Sequence, residues 1–449
     1  MPQGARIYNL FPLLVGNITE WEKHLDRIAE MGFDWIFLNP IHYPGFSGSL
    51  YAVKDYYALN PLFDDGSGDT ADAMVGRFLA AAEARGIRVM MDLVVNHTAK
   101  DSLLAEEHPE WFLREPDGRL ASPYAVDPND TSKRTVWADL AEIDYADRPA
   151  RAELVEWFAE LVRHYARLGF GGFRCDAAYK VPKDVWRALI KAGRQENDEL
   201  VFAAENLGSL QEETLAMRGA GFDYLFNSSK WWDFRAYWLI DQYEQFRSIA
   251  PSISFPESHD TNRLIVDLEA EGVRGTAAAE QRYRDAYLIA AVFSTGVMIP
   301  IGYEFGFRKR LHVVETRPSD WEKPAFDISA WIAEVNRMKD SLPVLNEEGP
   351  QRALLLADQK VAVLLRRAMR GGAWVVTLVN LERRTPVTAR IQWLDGDVID
   401  GHEVTPGRAA DAAVRPFRAD HEVTLAPGEV RIYIDPETAR ARAAETKSD

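Results

Sequence analysis

Short runs of β-branched, aromatic and other apolar residues alternate with longer segments whose apolar residues recur at three- and four-residue steps. The short runs predict strands at residues 5–11, 33–41, 88–96, 170–177, 200–206, 222–227, 252–260 and 297–305. Between them, Ile18–Met31 and Asp72–Ala84 carry helical spacing. From Ala150 to Leu168 the residues Leu154, Trp157, Phe158, Leu161, Val162, Tyr165 and Leu168 trace one helical face. Asn17 and Thr19 stand where the first helix needs a cap. Such alternation is the mark of parallel βα units. Eight strands with intervening helices predict an α/β fold, a (β/α)8 TIM barrel, in preference to an open doubly wound sheet. No G-x-G-x-x-G follows the first strand, which removes the common dinucleotide-binding alternative.

The interval 98–169 between the third and fourth strands is too long for one helix. Its first part is rich in Pro, Asp and Gly and predicts a short inserted subdomain at 98–140, on the C-terminal face of a barrel formed by 1–97 and 141–344. Beyond Leu342-Pro343 the texture changes to strand-like runs at 352–368, 372–382, 387–394 and 428–435, separated by turns. These predict a C-terminal antiparallel β-sandwich domain over 345–436. Residues 437–449 form a polar tail, expected to be a frayed helix or disordered.

Charge and cysteine usage narrow the function. With 52 Lys and Arg against 69 Asp and Glu, the net charge of −17 argues against nucleic acid or an anionic membrane as the main partner. It suits a neutral substrate. The single cysteine, Cys175, excludes an internal disulfide and a cysteine-built zinc site. No run approaches the roughly 18 apolar residues that span a bilayer. The N-terminus passes almost directly into a strand-like segment, so the expected location is cytoplasmic. Aromatic residues make up 11% of the chain, including 13 Trp, which leaves room for a carbohydrate site where flat rings meet sugar faces. Nothing in the sequence bears on oligomeric state.

Within GGFRCDAAYKVP (171–182), strand alternation puts Arg174 and Asp176 on one face and Cys175 on the other. Other predicted strands also end in polar clusters: Asp92, Asn96 and His97; Glu205 and Asn206; and Glu257 to Asp260. Barrel enzymes carry their chemistry at these ends. Three carboxylates (Asp176, Glu205, Asp260), two histidines (His97, His259) and an arginine suit retaining glycoside chemistry, which needs a carboxylate nucleophile and a protonated carboxyl. Arg174 is expected to hold Asp176 ionised and aimed. Glu205, which follows apolar residues, is expected to keep a proton through desolvation.

MMDLVVNHT (90–98), GFRCDAAYK (172–180), AAENLG (203–208) and FPESHDTNR (255–263) resemble the four ordered motifs of glycoside hydrolase family 13, the α-amylase family. YAVKDYY (51–57) resembles its Tyr-x-x-x-Asp segment. The resemblance implies that Asp176 is the nucleophile, Glu205 the general acid/base, and Asp260 the third carboxylate, which binds ring hydroxyls. It further implies that His97 and His259 bond sugar hydroxyls, Tyr51 stacks under the ring, and Arg174 positions Asp176, with Asp92 in support. Tyr179 and Lys180 stand where many starch-cutting members carry Lys-His, so they are expected to meet the leaving-group sugar. Calcium, bound in many members near the third-strand Asn, is not favoured. Asn96 is its one matching residue, with Asp127, Asp130 and Asp139 in reach along the sequence. No other cofactor is implied. EEHPEWFLREPDGR (106–119) and GYEFGFRKRLHVVETRPSDWE (302–322) are similar to the maltose-1-phosphate-dependent maltosyltransferases of the family, and Arg308, Lys309 and Arg310 are candidates to meet an anionic group.

The expected function is a retaining α-glycoside hydrolase or transglycosylase acting on an α-1,4-glucan or maltooligosaccharide. The alternatives are an enzyme that uses a glycosyl phosphate and a non-catalytic sugar-binding homologue.

Overall fold

The computed structural model describes residues 4–127, 130–390, 401–408, 416–417 and 422–445. Eight parallel strands close into a barrel: β1 (Arg6–Asn9), β2 (Trp35–Leu38), β3 (Arg88–Leu93), β4 (Gly172–Cys175), β5 (Val201–Ala204), β6 (Tyr224–Phe226), β7 (Ser252–Ser254) and β8 (Gly296–Pro300). Seven lie inside the ranges predicted from the sequence, and β8 begins one residue before its predicted start at Val297. They are shorter because the polar strand ends leave the hydrogen-bonded ladder and turn over the barrel mouth.

Side-chain alternation builds the interior. Ile7, Phe37, Met90, Ala203, Phe226, Ile253 and Met298 fill the barrel, while the intervening residues pack outward against the helices. Gly172 is required by this packing. A Cβ there would sit 2.6 Å from the Val201 carbonyl oxygen and 3.3 Å from the Trp35 ring. Cys175 is fully buried in the outer cluster, as its position in the strand predicts.

The helices follow their signals closely. Thr70 caps Ala71–Glu83 by accepting from the Ala73 N–H, and Arg151–Leu168 ends at Gly169 in the left-handed region. The helix predicted over 18–31 is instead two, Ile18–Glu22 and Leu25–Glu30, joined by a turn at Lys23–His24. The halves meet different partners: Trp21 packs on Phe63 and Phe78, whereas Arg27 pairs with Glu304, in the segment after β8. Asn17 caps the first half through the Glu20 N–H, and Thr19 lies inside the helix.

After β3 the chain makes an antiparallel pair, His97–Ala99 with Leu140–Glu142, that closes the base of the insertion. Beyond it stands a hairpin of Tyr124–Asp127 and Asp130–Val136. The C-terminal region is a six-stranded antiparallel sheet, covered on one face by the pair Val387–Arg390 and Glu422–Leu425. Alternation again assigns the faces. Val361, Val363 and Leu365 meet that pair, while Ala362 and Leu364 turn to the barrel side. Residues 391–394 of the predicted third run lie outside the described residues. Arg366, Gln351 and Tyr243 tie sheet to barrel through backbone carbonyls of Val292, Phe293 and Gly349. Pro436–Glu445 of the tail is helical. Among the described residues no helix is long and apolar enough to cross a membrane.

Candidate active site

Polar side chains replace apolar ones on the top interior layer of the barrel, and they bond one another across strands. Asn9, at the end of β1, donates to Asn39 Oδ1 at 2.9 Å. Asn39 Nδ2 donates to the Tyr51 hydroxyl at 2.9 Å, and that hydroxyl donates to Asp92 Oδ2 at 2.6 Å. Arg174 Nη1 bonds the other Asp92 oxygen and stands 3.2 Å from Asp176 Oδ1. One continuous network therefore runs from β1 to the residue that follows β4. Its guanidinium is buried and flanked by Phe37 and Phe226.

The chain turns sharply just after Asp176. Ala177 has φ 40° and ψ 47°, a left-handed conformation that costs a non-glycine residue about 1–2 kcal/mol. This turn brings the Ala177 N–H to 3.1 Å from Glu205 Oε2. Leu207 N–H donates to Glu205 Oε1 at 2.6 Å. The residue beside Asp176 thus grips the Glu205 carboxyl, so the two acidic groups are neighbours at the mouth. Burial pushes the Glu205 carboxyl up from 4.5 to about 7, Arg174 opposing and Asp176 adding to the rise.

Asp260 completes the acidic set and lies 3.0 Å from His259 Nε2, with 60% of its side chain exposed. Burial of its surroundings acts to raise it, but His259, Arg174 and Arg310 outweigh this and hold it below the usual carboxylate range. The same His259 nitrogen lies 2.8 Å from the Tyr51 hydroxyl, and the two rings are parallel at 6.0 Å. Tyr51 therefore stacks on His259 and is anchored by three polar neighbours. His97 Nε2 donates to the Tyr51 carbonyl at 3.2 Å, and burial lowers its basicity. Tyr179 and Lys180 lie on the one-turn 3-10 helix Ala178–Lys180. The Lys180 ammonium sits over the Tyr179 ring and bonds Glu213 at 3.3 Å.

The structure thus draws Asp176, Glu205, Asp260, Tyr51, Arg174 and His259 together around one opening, with His97 behind Tyr51. Glu257 departs from the cluster. It is fully buried and paired with Arg263 at 2.7 Å, so it holds the loop and does not face the mouth. Sequence reasoning missed Asn9 and Asn39. Their only signal was an Asn at the C-terminal end of each apolar strand, in phase with the interior face.

Comparison with known proteins shows what the chain is similar to. The family model for the glycogen debranching enzyme glucanotransferase domain matches residues 3–115. An α-1,4-glucan:maltose-1-phosphate maltosyltransferase of Burkholderia pseudomallei is 28% identical over 360 residues, covering 79% of this chain and 30% of that one. The Myxococcus xanthus enzyme of the same name is 25% identical, covering 80% of this chain and 55% of its own. The α-amylase of Geobacillus thermoleovorans, solved in complex with acarbose, superposes with a TM-score of 0.72 at 17% identity, covering 96% of this chain and 98% of that one. The chain is similar to maltosyltransferases in sequence and to α-amylases in fold. It spans about a third to a half of the length of those maltosyltransferase relatives.

Two features tied to particular α-amylase-family members can be tested on the side chains. Calcium takes six to eight oxygen ligands. Asn96 offers a buried Oδ1 with no hydrogen-bond partner. Yet among the described residues no three acidic, His or Cys side chains are arranged to hold a metal ion. Asp130 is engaged by Ser132 and Lys133, and the side chain of Asp127 lies outside the described residues. Among the described residues the side-chain donors near Asn96 do not make up a calcium site. The basic run at 308–310 is also largely engaged: Arg308 makes two 2.6 Å bonds to Glu269, and Lys309 pairs with Asp320. Arg310 alone of the three turns to the mouth, donating to the Asp260 carbonyl at 2.7 Å.

Proposed function

We propose that this chain is a retaining enzyme of the α-amylase family that acts on α-1,4-glucans or maltooligosaccharides, with Asp176 as nucleophile and Glu205 as acid and base. An Asp176 oxygen attacks the anomeric carbon as Glu205 gives its proton to the departing glycosidic oxygen, leaving a glycosyl ester on Asp176. Glu205, now a carboxylate, takes a proton from water or from a sugar hydroxyl. The resulting oxygen attacks the anomeric carbon and frees Asp176. Asp260 and His259 are placed to hold ring hydroxyls, and Tyr51 lies beside them as an apolar face.

The observation that carries this reading is the unlike environment of two adjacent carboxyls. Asp176 faces the Arg174 guanidinium. Glu205 is gripped by two neutral N–H groups in a buried site that pushes it up to about 7. Such a split marks out an acid from a nucleophile. All three carboxylates are present and grouped, which speaks against a purely sugar-binding role.

A second reading is favoured by the relatives named as maltosyltransferases: the donor is a glycosyl phosphate, and phosphate is the leaving group. Two incubations separate them. One offers a maltooligosaccharide panel alone, with products resolved by chain length. The other offers maltose 1-phosphate with glycogen and follows free phosphate. New chain lengths without phosphate support the first reading, and phosphate release coupled to glycogen growth supports the second. Turnover that survives Asp176→Ala, or none in either incubation, overturns the proposal.

A further inference from the structure

Two primary amides, Asn9 and Asn39, are fully buried at the ends of β1 and β2. Burying an amide is unfavourable unless its donors and acceptor find partners. Their hydrogen bonds run in one direction, fixed by a group that cannot be reversed. The Phe37 carbonyl only accepts, and it takes the Leu10 N–H at 3.0 Å and Asn9 Nδ2 at 3.1 Å. The Asn9 amide is thereby oriented. Its second N–H goes to Asn39 at 2.9 Å, which meets it with Oδ1. Asn39 is oriented in turn and presents Nδ2 to the Tyr51 hydroxyl at 2.9 Å. Asn9 Oδ1 is left buried with no partner among the described residues. Reversing the amide would set that oxygen against two acceptors, so the orphaned atom is the lesser loss.

A hydroxyl gives one hydrogen bond and takes two. Tyr51 has three polar neighbours: Asn39 Nδ2, His259 Nε2 at 2.8 Å and Asp92 Oδ2 at 2.6 Å. Asp92, bound also to Arg174, accepts as a carboxylate and so takes the hydroxyl proton. The two places left on the Tyr51 oxygen are for donors. Asn39 fills one and a proton on His259 Nε2 fills the other. The far edge of the imidazole agrees. His259 Nδ1 is buried with no partner among the described residues, and the rings of Phe11 and Phe37 stand 6.3 and 5.8 Å from the imidazole. An N–H on that edge would go unpaired. With its proton on Nε2, His259 also donates to Asp260, 3.0 Å away. An oxygen in place of Asn39 Nδ2 would instead compete with Asp92 for the one proton of Tyr51.

We propose that Asn39, oriented by Asn9 from the Phe37 carbonyl, is a positioning residue that keeps the Tyr51 proton on Asp92 and so steadies the chain from Asp92 through Arg174 to Asp176. This rests on the glucan reading above and adds the residues that set its proton directions. Two variants of similar size test it through kcat/KM on maltoheptaose from pH 5 to 8, each taken as a ratio to wild type. Asn39→Leu offers Tyr51 neither donor nor acceptor, and its ratio should fall about tenfold at every pH. Asn39→Asp donates while protonated and only accepts once ionised. The charged and titratable groups around Tyr51 are Asp92, Arg174, Asp176, Asp260 and His259. Burial beside Asp92 raises an aspartic acid at position 39, so its ratio should lie within about threefold of one at pH 5 and drop about tenfold by pH 8. A purely structural role predicts a ratio for Asn39→Asp that does not vary with pH, and that result overturns the proposal, as does wild-type kcat/KM in Asn39→Leu. Nitrogen-15 NMR of the histidine-labelled wild type, with His259 assigned by its loss in His259→Gln, reads the direction of the chain without substrate. A proton on Nε2 at pH 8 supports the proposal, and one on Nδ1 overturns it. The spectrum decides even if Asn39→Leu does not fold or the wild type turns over no glucan, and absent turnover defeats the glucan reading alone.

Discussion

Glu205→Gln tests the environment of the candidate acid by stability alone. In the folded chain the Glu205 carboxyl is pushed up to about 7 by burial, whereas in the unfolded chain it returns to 4.5. Between those values the folded form keeps a proton that the unfolded form has lost. Stability from this group is therefore undiminished below pH 4.5 and falls as pH rises toward 7. At about 1.4 kcal/mol per pH unit, the penalty in the wild type reaches about 3 kcal/mol above pH 7. Glutamine does not titrate and escapes it. It carries a separate cost at every pH, because its one carbonyl oxygen can serve only one of the Ala177 and Leu207 N–H donors. That loss is about 1–2 kcal/mol. Urea unfolding from pH 4.5 to 8.5 should thus find the variant less stable than wild type at the acid end and more stable at the alkaline end. The difference between the two proteins should change by about 3 kcal/mol across the range. Parallel curves would refute the reasoning, since they would mean a carboxyl that ionises as it does in water. In the wild type the same titration predicts that kcat/KM on a maltooligosaccharide falls as pH rises through about 7.

Two further outcomes follow from burial. Arg174→Gln leaves Asp92 buried without its cation and should cost about 3–5 kcal/mol, whereas Arg308→Gln, which breaks an exposed pair, should cost at most about 1 kcal/mol; similar losses of thermal stability in both variants would contradict the assigned burial. Cys175 is enclosed by apolar residues and burial pushes its thiol up, so a disulfide reagent should find no reactive thiol in the native chain and one after denaturation; rapid native labelling would show that the residue does not face the helices.

The barrel was legible because its strands are apolar runs of near-constant length between amphipathic helices, a pattern few other folds produce. The position of Cys175 was legible from alternation alone. The network over the barrel mouth was not. Asp92 reads as a strand residue, and nothing in its neighbourhood in sequence says that its partners are Tyr51, forty-one positions before it, and Arg174, eighty-two after. Closure of the barrel creates those contacts by setting β3 beside both β2 and β4. Tyr51 shows the same limit: the motif pointed to its ring, while its hydroxyl holds Asp92 and faces His259. The broken first helix escaped notice because apolar spacing continues unchanged through Lys23 and His24, and the bend is imposed by tertiary partners.

What separates the two candidate catalytic carboxyls is the charge on their nearest donors. β4 and the turn after it place Asp176 against a guanidinium that is itself bound to Asp92, so cation and anions are balanced on that side of the mouth. One strand over, Glu205 receives only backbone N–H groups, one of them from strained Ala177. Neutral donors hold a carboxyl in place without supplying the full charge that would force its proton off, so burial prevails and the proton stays. The left-handed turn at Ala177 is thus part of the chemistry. It lets one short segment present Asp176 to the cation while its next residue orients the acid, and the strain it carries is repaid by the fixed relation between the two groups.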